Sequence, residues 1–581
     1  MKLSKYILSA VLSATLGLTA TSCLEEAFPT TQASSGQLET ADKAAMSAAI
    51  MSKMTEYSSS YDYMYCDLGF GGFQIWYDCM AGNFPPYDSG YDYFYNFNLM
   101  NPLGNNNGAS ILMWMRYYSL ASICSNVIKT SDPNNEADAR YLGNAYAYRA
   151  WAYMDLARLF EYKHTGVSYL DGVADSRKIW GLTVPIVTEK TTETETRTKT
   201  RAPFYEMYRF IFDDLNRAEE SLEGITSVPS KDYASIGVVY GLKARLWMEL
   251  GSRFDIYPAD MSAQLEAENQ EALSVYDKLG IHSAADCYNK AIEYAQKARQ
   301  GYTPTTKAQW FDKANGFNTP IDSWMWCVIV NSNSGMVTSE DWHSFPSFLS
   351  PEAEYGMCNI DYNIERMIQA KLYAKLQEGD WRKPTWINPN EVGSQSAYNA
   401  KYKDVTSLSY EAWSEYPAYT GFKFHPAQGN GKEPTVGNAI SYPLMRVEEM
   451  YLIEAEAIAR TQGAAAAVSA LESFMNSYRT EGTTYTCPSM ILSDVINEIL
   501  DQKCIEFWGE GISMWDYKRT ERTIQQGYPG TNVPSPYRFN SITGFVAPWL
   551  NLFIPEYENG QAPSVILNPD PTLSLGSAWT E

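Results

Sequence analysis

The chain has 581 residues, with 45 lysines and arginines against 68 aspartates and glutamates, so its formal net charge is −23 at pH 7. A chain this acidic repels nucleic acid and anionic membrane surfaces, which argues against both as partners. Its length is too great for one small core and suits one large body with elaborations.

The first 26 residues have the pattern of a bacterial lipoprotein signal. Two lysines precede an apolar run, and small residues then lead to Cys23, which is followed by an acidic pair. A cysteine at such a cleavage site is the usual acceptor for lipid. We therefore expect a signal peptide over 1–22, a lipid on Cys23 and a polar tether over 23–40. No later stretch is long and apolar enough for a second membrane segment, so we expect anchoring through lipid alone, outside the cytoplasm.

Eight cysteines remain when Cys23 is set aside, and they are sparse, with no Cys-x-x-Cys pair. This excludes a disulfide scaffold and a zinc site of the usual spacing. Cys66 and Cys79 flank a glycine-rich stretch and are the one disulfide candidate. The others, such as Cys504 on an apolar helical face, are expected to be buried thiols.

Apolar residues at spacings of three and four predict most of the regular structure. The predicted helices span 141–160, 204–222, 234–250, 284–300, 362–377, 444–458 and 496–507. Small and aromatic residues alternate in 234–250 and 284–300 as they do in tetratricopeptide helix pairs. In contrast, 57–97 is rich in aromatic residues, aspartate and glycine and shows neither the helical nor the strand period, so we expect ordered loops with short helical pieces.

These patterns predict a mainly α fold, a tetratricopeptide-like helix-pair scaffold with a loop-rich, ligand-binding subdomain. The body is expected over 41–581, with the scaffold in 41–56, 109–300 and 443–520, loop-rich ligand-binding regions in 57–108 and 301–442, and an irregular C-terminal segment in 521–581.

No catalytic signature is present, whether of a serine hydrolase, a zinc protease, a phosphate-binding loop or a calcium loop. The four histidines are scattered and share no ligand spacing. Carboxylates are abundant, so a paired-acid glycosidase stays open from sequence, although nothing singles out a pair. We predict no enzyme activity and no cofactor or metal, with Asp62 and Asp67 left open as calcium ligands.

The aromatic loops are the better lead to function. Sugar rings stack on flat aromatic side chains, and their hydroxyls need nearby carboxylates and amides. The loop-rich regions supply both kinds of group. The candidate ligand-binding residues are Trp76, Tyr77, Asp78, Asn83, Tyr87, Asp88, Tyr91, Tyr93, Trp324, Trp326, Trp342 and Trp381.

Several segments, in the same order along the chain, resemble the SusD/RagB family of outer-membrane nutrient-binding lipoproteins. The matching stretches include Arg149-Ala-Trp within 141–158, Phe212-Asp-Asp-Leu within 201–222, Arg446-Val-Glu-Glu within 442–457, Trp508-Gly-Glu-Gly within 500–519, and Phe553-Ile-Pro. Lys503-Cys504 and Ser513-Met514 depart from the family's usual basic and aromatic pairs.

The resemblance implies a tetratricopeptide-like fold and a surface-exposed outer-membrane lipoprotein that caps a SusC-like TonB-dependent transporter. It implies binding of an oligosaccharide or polysaccharide without catalysis, and delivery to that transporter. Ligand residues do not carry over, because the aromatic loops have no family-wide motif. Arg149, Arg446, Glu449 and Arg519 are expected to hold the fold in satisfied partner networks.

Three alternatives stay open beside the glycan-binding reading. A peptide-binding nutrient lipoprotein of the RagB type would use backbone-contacting amides in place of aromatic platforms. A surface glycoside hydrolase would need a carboxylate pair at catalytic separation. A structural helical-repeat scaffold would bind no small ligand.

Overall fold

The computed structural model describes residues 43–57, 66–85, 92, 94–95, 108–268, 281–338, 343–362, 364–556, 558, 564–571 and 577–578. The signal, the tether and Cys23 lie outside the described residues, as does Asp62. Among the helices that are described, none is both long and apolar enough to cross a membrane.

The described part of the chain is mainly helical. Its longer helices are α1 (Lys43–Met54), α2 (Phe70–Met80), α3 (Gly108–Thr130), α4 (Glu136–Phe160), α5 (Ser168–Arg177), α6 (Phe204–Leu222), α7 (Ile236–Ile256), α8 (Pro258–Glu268), α9 (Ala284–Ala298), α10 (Val447–Gln462), α11 (Ala464–Tyr478), α12 (Leu492–Glu506) and α13 (Ser513–Arg519). Short helices span Glu193–Thr196, Lys307–Trp310, Gly335–Thr338, Phe345–Leu349, Ala370–Tyr373, Gln395–Ala400, Tyr410–Trp413 and Pro434–Gly437.

Successive long helices pack on one another to form the scaffold. Helix α4 packs between α3 and α6, α7 packs on α9, and α10 packs on α9, α11 and α12. Helix α6 illustrates why the helices pack in this way. Its buried residues recur at spacings of three and four positions from Phe204 to Leu222, so that one face of the helix packs against the core. Side-chain caps begin several helices, as where Ser235 accepts a hydrogen bond from the Val238 N–H at the start of α7. The mainly α, helix-pair fold predicted from the sequence is confirmed.

Two strands cross the core beneath the helices. Strand β1 (Trp324–Ile329) pairs antiparallel with β2 (Ser441–Arg446), with Trp324 opposite Arg446 and Ile329 opposite Ser441. Strand β2 runs directly into α10, so the helix predicted over 444–458 begins within the strand. Short strands β3 (Phe539–Asn540) and β4 (Ser577–Ala578) form a second pair.

Two sequence predictions fail for tertiary reasons. The helix predicted over 362–377 is reduced to Ala370–Tyr373, because the preceding residues pair with another segment: Met367 bridges Thr420, and the Ile368 N–H donates to the Tyr419 carbonyl at 3.0 Å. Conversely, the supposed loops of 57–97 contain α2, in which every residue is buried. A helix buried on all sides has no polar face, so no amphipathic period marks it.

The disulfide candidate is wrong. Cys66 and Cys79 are separate, buried thiols, and burial raises the pKa of each well above its ordinary value. They belong to the apolar core around α2.

The motif arginines hold helices together, as expected from the sequence. Arg149 on α4 donates two hydrogen bonds, of 2.7 and 2.8 Å, to the Asp214 carboxylate on α6. Arg519 on α13 pairs with Glu456 on α10. Glu449 on α10 accepts two hydrogen bonds from Arg245 on α7, at 2.8 and 2.6 Å.

The Arg149–Asp214 pair gives a stability test. Arg149→Met leaves the buried Asp214 carboxylate without its main partner, so the free energy of unfolding should fall by about 3–5 kcal/mol. The matched Arg197→Met removes a pair whose side chains are 70% and 83% exposed, and should cost less than about 1 kcal/mol. Urea unfolding at pH 7 measures both. Equal losses in the two variants would contradict the fold-holding role of Arg149.

Candidate functional site

The structure places most of the described candidate residues in the core. Trp324 and Trp326 lie on β1 and are 0% exposed, and Trp76 on α2 is 1% exposed. Trp326 packs edge-on against Tyr148 at 4.5 Å between ring centroids. The prediction that these three tryptophans form sugar-binding platforms is therefore wrong, because their faces are covered by other core side chains.

The polar candidates on and after α2 also have structural partners. Asp78 accepts hydrogen bonds from the N–H groups of Gly509 and Gly511, at 2.9 and 3.0 Å, and from the Asn83 side chain at 3.3 Å. Burial raises the pKa of Asp78 to about 7. The Tyr77 hydroxyl lies 3.0 Å from that of Tyr117. The assignment of Asp78, Asn83 and Tyr77 as surface ligands for a glycan is therefore wrong. Their hydrogen bonds connect α2 to the turn after α12 and to α3.

The remaining candidates divide into two groups. Trp381 lines a groove with a volume of about 970 Å³. Five others lie outside the described residues: Tyr87, Asp88, Tyr91, Tyr93 and Trp342.

We call this cavity the main groove, and its walls are aromatic. They include Phe311, Tyr373, Trp381 and Tyr402, and burial raises the pKa of both tyrosines above the ordinary value, so both are neutral. Trp381 is locked in place, since its indole N–H donates to the Tyr478 carbonyl at 3.0 Å and its ring meets Phe311 edge-on at 6.1 Å. The groove therefore has a rigid apolar wall before any ligand enters.

A tight turn forms one rim. Gly379 has φ of +83°, and a Cβ there would lie 2.3 Å from the Thr483 hydroxyl oxygen. Its carbonyl accepts a hydrogen bond from the Glu481 N–H at 2.9 Å. Glycine lets the chain pass this close to the neighbouring loop, which places Glu378 and Glu481 on the same edge of the groove.

Polar groups complete the rim. The Tyr402 hydroxyl donates to Glu391 at 2.8 Å and accepts from the Asn388 N–H at 3.0 Å. Lys401 pairs with the same carboxylate at 2.5 Å. Glu378 and Asp404 are exposed on the groove. Aromatic walls with a few placed carboxylates and amides are the combination that a ligand rich in hydroxyls requires.

The wall is fixed to the core through a buried ion network, the Glu506 network. Asp380 lines the groove beside Trp381, and its carboxylate accepts hydrogen bonds from Arg382 at 2.7 and 3.1 Å. Arg382 also donates to Glu506 at 2.9 Å. Asp380 and Arg382, the residues on both sides of Trp381, are thus fixed to the core by hydrogen bonds.

Two further arginines converge on the same carboxylate. Glu506 accepts hydrogen bonds from Arg479 at 2.8 Å and from Arg446 at 3.0 Å. Burial by itself would raise the pKa of Glu506, but Arg479, Arg446 and Arg382 outweigh it and hold the pKa well below the ordinary value. Glu506 is therefore ionised, and all three arginines share its charge, although each also pairs with a second carboxylate.

The described residues contain no group of three or more His, Cys, Asp or Glu side chains placed to hold a metal ion. Asp67, which the sequence left open as a calcium ligand, pairs with Arg116 at 2.8 Å.

Sequence reasoning missed Phe311, Tyr373 and Tyr402. All three lie in the irregular 301–442 stretch, which was assigned to ligand binding as a whole, but their spacing of 62 and 29 positions has no period. Only their tertiary placement brings them to one groove.

Residues 286–543 match the model of the SusD family. No curated protein sequence matches the chain. The resemblance that the sequence motifs indicated is confirmed.

Solved structures match over most of the chain. A SusD-like carbohydrate binding protein from Bacteroides vulgatus has a TM-score of 0.61 and 18% identity, covering 90% of this chain and 96% of its own. A putative sugar binding protein from the same species has a TM-score of 0.57 and 21% identity, with 91% and 97% covered. Surface glycan-binding protein A from Bacteroides thetaiotaomicron, solved in complex with laminarihexaose, has a TM-score of 0.59 and 17% identity, with 91% and 99% covered. At these identities the likeness shows a shared fold.

The Glu506 network predicts a pH-dependent loss of stability. Glu506→Gln should lower the free energy of unfolding at pH 7 by about 3–5 kcal/mol, because three buried arginines lose a shared counter-charge. Since the folded-state pKa is lowered, this contribution is complete above the unfolded value of about 4.3 and disappears as pH falls toward the folded value. Urea unfolding between pH 3 and 7 should therefore show the gap to wild type narrowing on the acid side.

The control is Glu481→Gln, which removes an exposed carboxylate paired with Lys307 and should cost less than about 1 kcal/mol. A gap for Glu506→Gln that stays constant down to pH 3 would contradict the assignment.

Proposed function

Since residues 286–543 of this chain are of the SusD family and its described part has the SusD fold, we propose that it is a non-catalytic glycan-binding lipoprotein of the cell surface. It captures an oligosaccharide or polysaccharide and passes it to a SusC-like TonB-dependent transporter in the outer membrane. The observation that carries the glycan part is the main groove, whose lining combines four aromatic side chains with carboxylates and an amide.

The groove suits a hydroxyl-rich chain better than a compact apolar ligand. Its volume of about 970 Å³ exceeds that of a single sugar, so several residues fit. Phe311 is only half-buried, so part of its ring is free to stack on a sugar face. Glu378 and Asp404 offer exposed oxygens to hydroxyl groups. Each stacked sugar would contribute roughly 0.5–1.5 kcal/mol beyond area burial, which favours weak to moderate affinity and release to a partner.

The carboxylates of the groove favour binding over hydrolysis. A glycosidase needs one protonated carboxyl as general acid. Here Asp380 is paired with Arg382, Glu391 with Lys401 and Glu481 with Lys307, so three of the groove's carboxylates are already engaged with cations.

The anchoring part of the proposal depends on the sequence. The signal-like start and Cys23 support attachment by lipid. The proposed partnership with a transporter is based on the family resemblance. The net charge of −23 disfavours nucleic acid as a further partner.

The experiment is affinity electrophoresis of the protein from residue 24 onward in gels containing different polysaccharides, followed by calorimetry with oligosaccharides that include laminarihexaose. We expect one glycan class to retard the protein without release of reducing ends. Phe311→Ala should weaken that affinity about two- to tenfold through lost stacking, and Glu378→Ala should weaken it by a similar factor.

The control variant is Tyr169→Ala, which removes an aromatic side chain that is 63% exposed on α5, away from the groove. It should leave the affinity unchanged. Heat released by a peptide digest but by no glycan would move the protein to the peptide-binding alternative, and new reducing ends would move it to the hydrolase.

A further inference from the structure

A second, smaller cavity lies on the helical scaffold. We call it the scaffold pocket: it has a volume of about 180 Å³ and lies where α4 and α7 end and α6 begins. Its walls include Lys163, His164, Trp180, Tyr205, Tyr257 and Asp260. None of these residues lines the main groove, so the pocket is a separate site.

Lys163 lies in this pocket with its hydrogen-bonding capacity unused. The residue is 8% exposed, and its nearest carboxylate oxygen, on Glu161, is 3.6 Å from Nζ. Within the part of the chain that the structure describes, no hydrogen bond involves this Nζ, which lies 5.3 Å from the Tyr257 ring centroid. An ammonium group has three donors, so Lys163 can donate hydrogen bonds to a ligand that enters the pocket.

The Lys163 backbone is held in position. Its N–H donates to the Asn551 side chain at 3.1 Å, and its carbonyl accepts from the same side chain at 2.8 Å. The backbone of Lys163 is therefore fixed before a ligand arrives, which removes the backbone part of the entropy cost of binding.

The lysine, arginine and carboxylate charges that line the pocket balance one another when Lys163 is counted. Arg253 forms two hydrogen bonds with Glu161, of 2.7 and 3.0 Å, and one with Asp260 at 2.8 Å. With Lys163 included, two cations face two carboxylates. An anionic ligand would approach Glu161 and Asp260 and a cationic one Lys163 and Arg253, so a neutral ligand meets the least repulsion.

One side of the pocket is an aromatic wall. The His164 and Trp180 rings stack at 3.7 Å with an interplanar angle of 19°, and the Tyr257 ring lies 6.0 Å from His164. The Trp180 indole N–H donates to Asp175 at 2.6 Å, which fixes that ring. Half-buried rings beside an available donor provide an apolar surface and a directed polar contact together.

We propose that the scaffold pocket binds one neutral sugar residue, with the Lys163 ammonium donating hydrogen bonds to its hydroxyls and the Trp180, His164 and Tyr257 side of the pocket packing on its C–H face. The volume fits one such residue and excludes a longer chain. This site does not depend on the main groove, and it would give the protein a second point of contact with a glycan, at which a chain end is recognised.

The test uses the methyl glycosides of glucose, galactose and mannose, with glucuronate as the charged comparison, in ligand-observed NMR titrations. We expect at least one methyl glycoside to bind, and glucuronate to bind no more tightly. Lys163→Met should raise the Kd roughly tenfold or more, because a hydrogen bond from a charged donor is lost. Trp180→Ala, on the half-buried wall, should raise it severalfold.

Two controls separate this site from the rest of the protein. Lys243→Met removes a buried lysine on α7 that pairs with Glu219, and should not change the Kd. Phe311→Ala should not change it either, although it weakens binding in the main groove. If the wild type binds a methyl glycoside but no oligosaccharide in the main groove, the proposed function is refuted and this inference stands.

The inference is overturned if no methyl glycoside binds the wild type, if glucuronate binds more tightly than the neutral sugars, or if Trp180→Ala leaves the Kd unchanged. Should Lys163→Met fail to fold, as circular dichroism would reveal, Trp180→Ala decides alone.

Discussion

The rest of the structure depends on one buried carboxylate, that of Glu506 at the end of α12. Three arginines from three other elements converge on it: Arg382 from the groove wall, Arg446 from the end of β2 and Arg479 from the end of α11. All four side chains are 0% exposed. Fully buried charges are stable only when each has its partner. The network therefore fixes the relative positions of β2, α11, α12 and the groove wall.

This constraint explains why the main groove is rigid although it is built from irregular chain. The loop that carries Trp381 has little secondary structure of its own, yet its neighbours Asp380 and Arg382 are tied to the network and its indole to Tyr478. A wall fixed in this way would need little reorganisation on binding the proposed ligand, so little of the binding free energy would go into ordering it. The scaffold pocket follows the same pattern, with Asn551 holding Lys163.

The sequence predicted the scaffold well where one face of a helix is polar. The predicted helix 204–222 coincides with α6, whose buried residues recur at three and four. The secondary-structure prediction failed where a helix is buried on all sides and where the backbone pairs with a segment distant in sequence. Helix α2 has no polar face to reveal its period, and 362–377 gives up helix because its backbone pairs with Thr420 and Tyr419. Local pattern carries no information about either event.

By itself, the sequence determined the helical class, the resemblance of its motifs to the SusD family and the net negative charge, because amphipathic spacing, ordered motifs and charge are all properties of the linear chain. It also assigned the ligand-binding role to the 301–442 stretch, to which Trp381 and most of the main groove belong. Only the tertiary structure decided which aromatic residues line a groove: Phe311 and Trp381 do, whereas Trp76, Trp324 and Trp326 lie wholly in the core. The reason is physical. A large ring gains free energy from burial in the core just as it does from contact with a ligand, and only packing against distant residues determines which of these occurs.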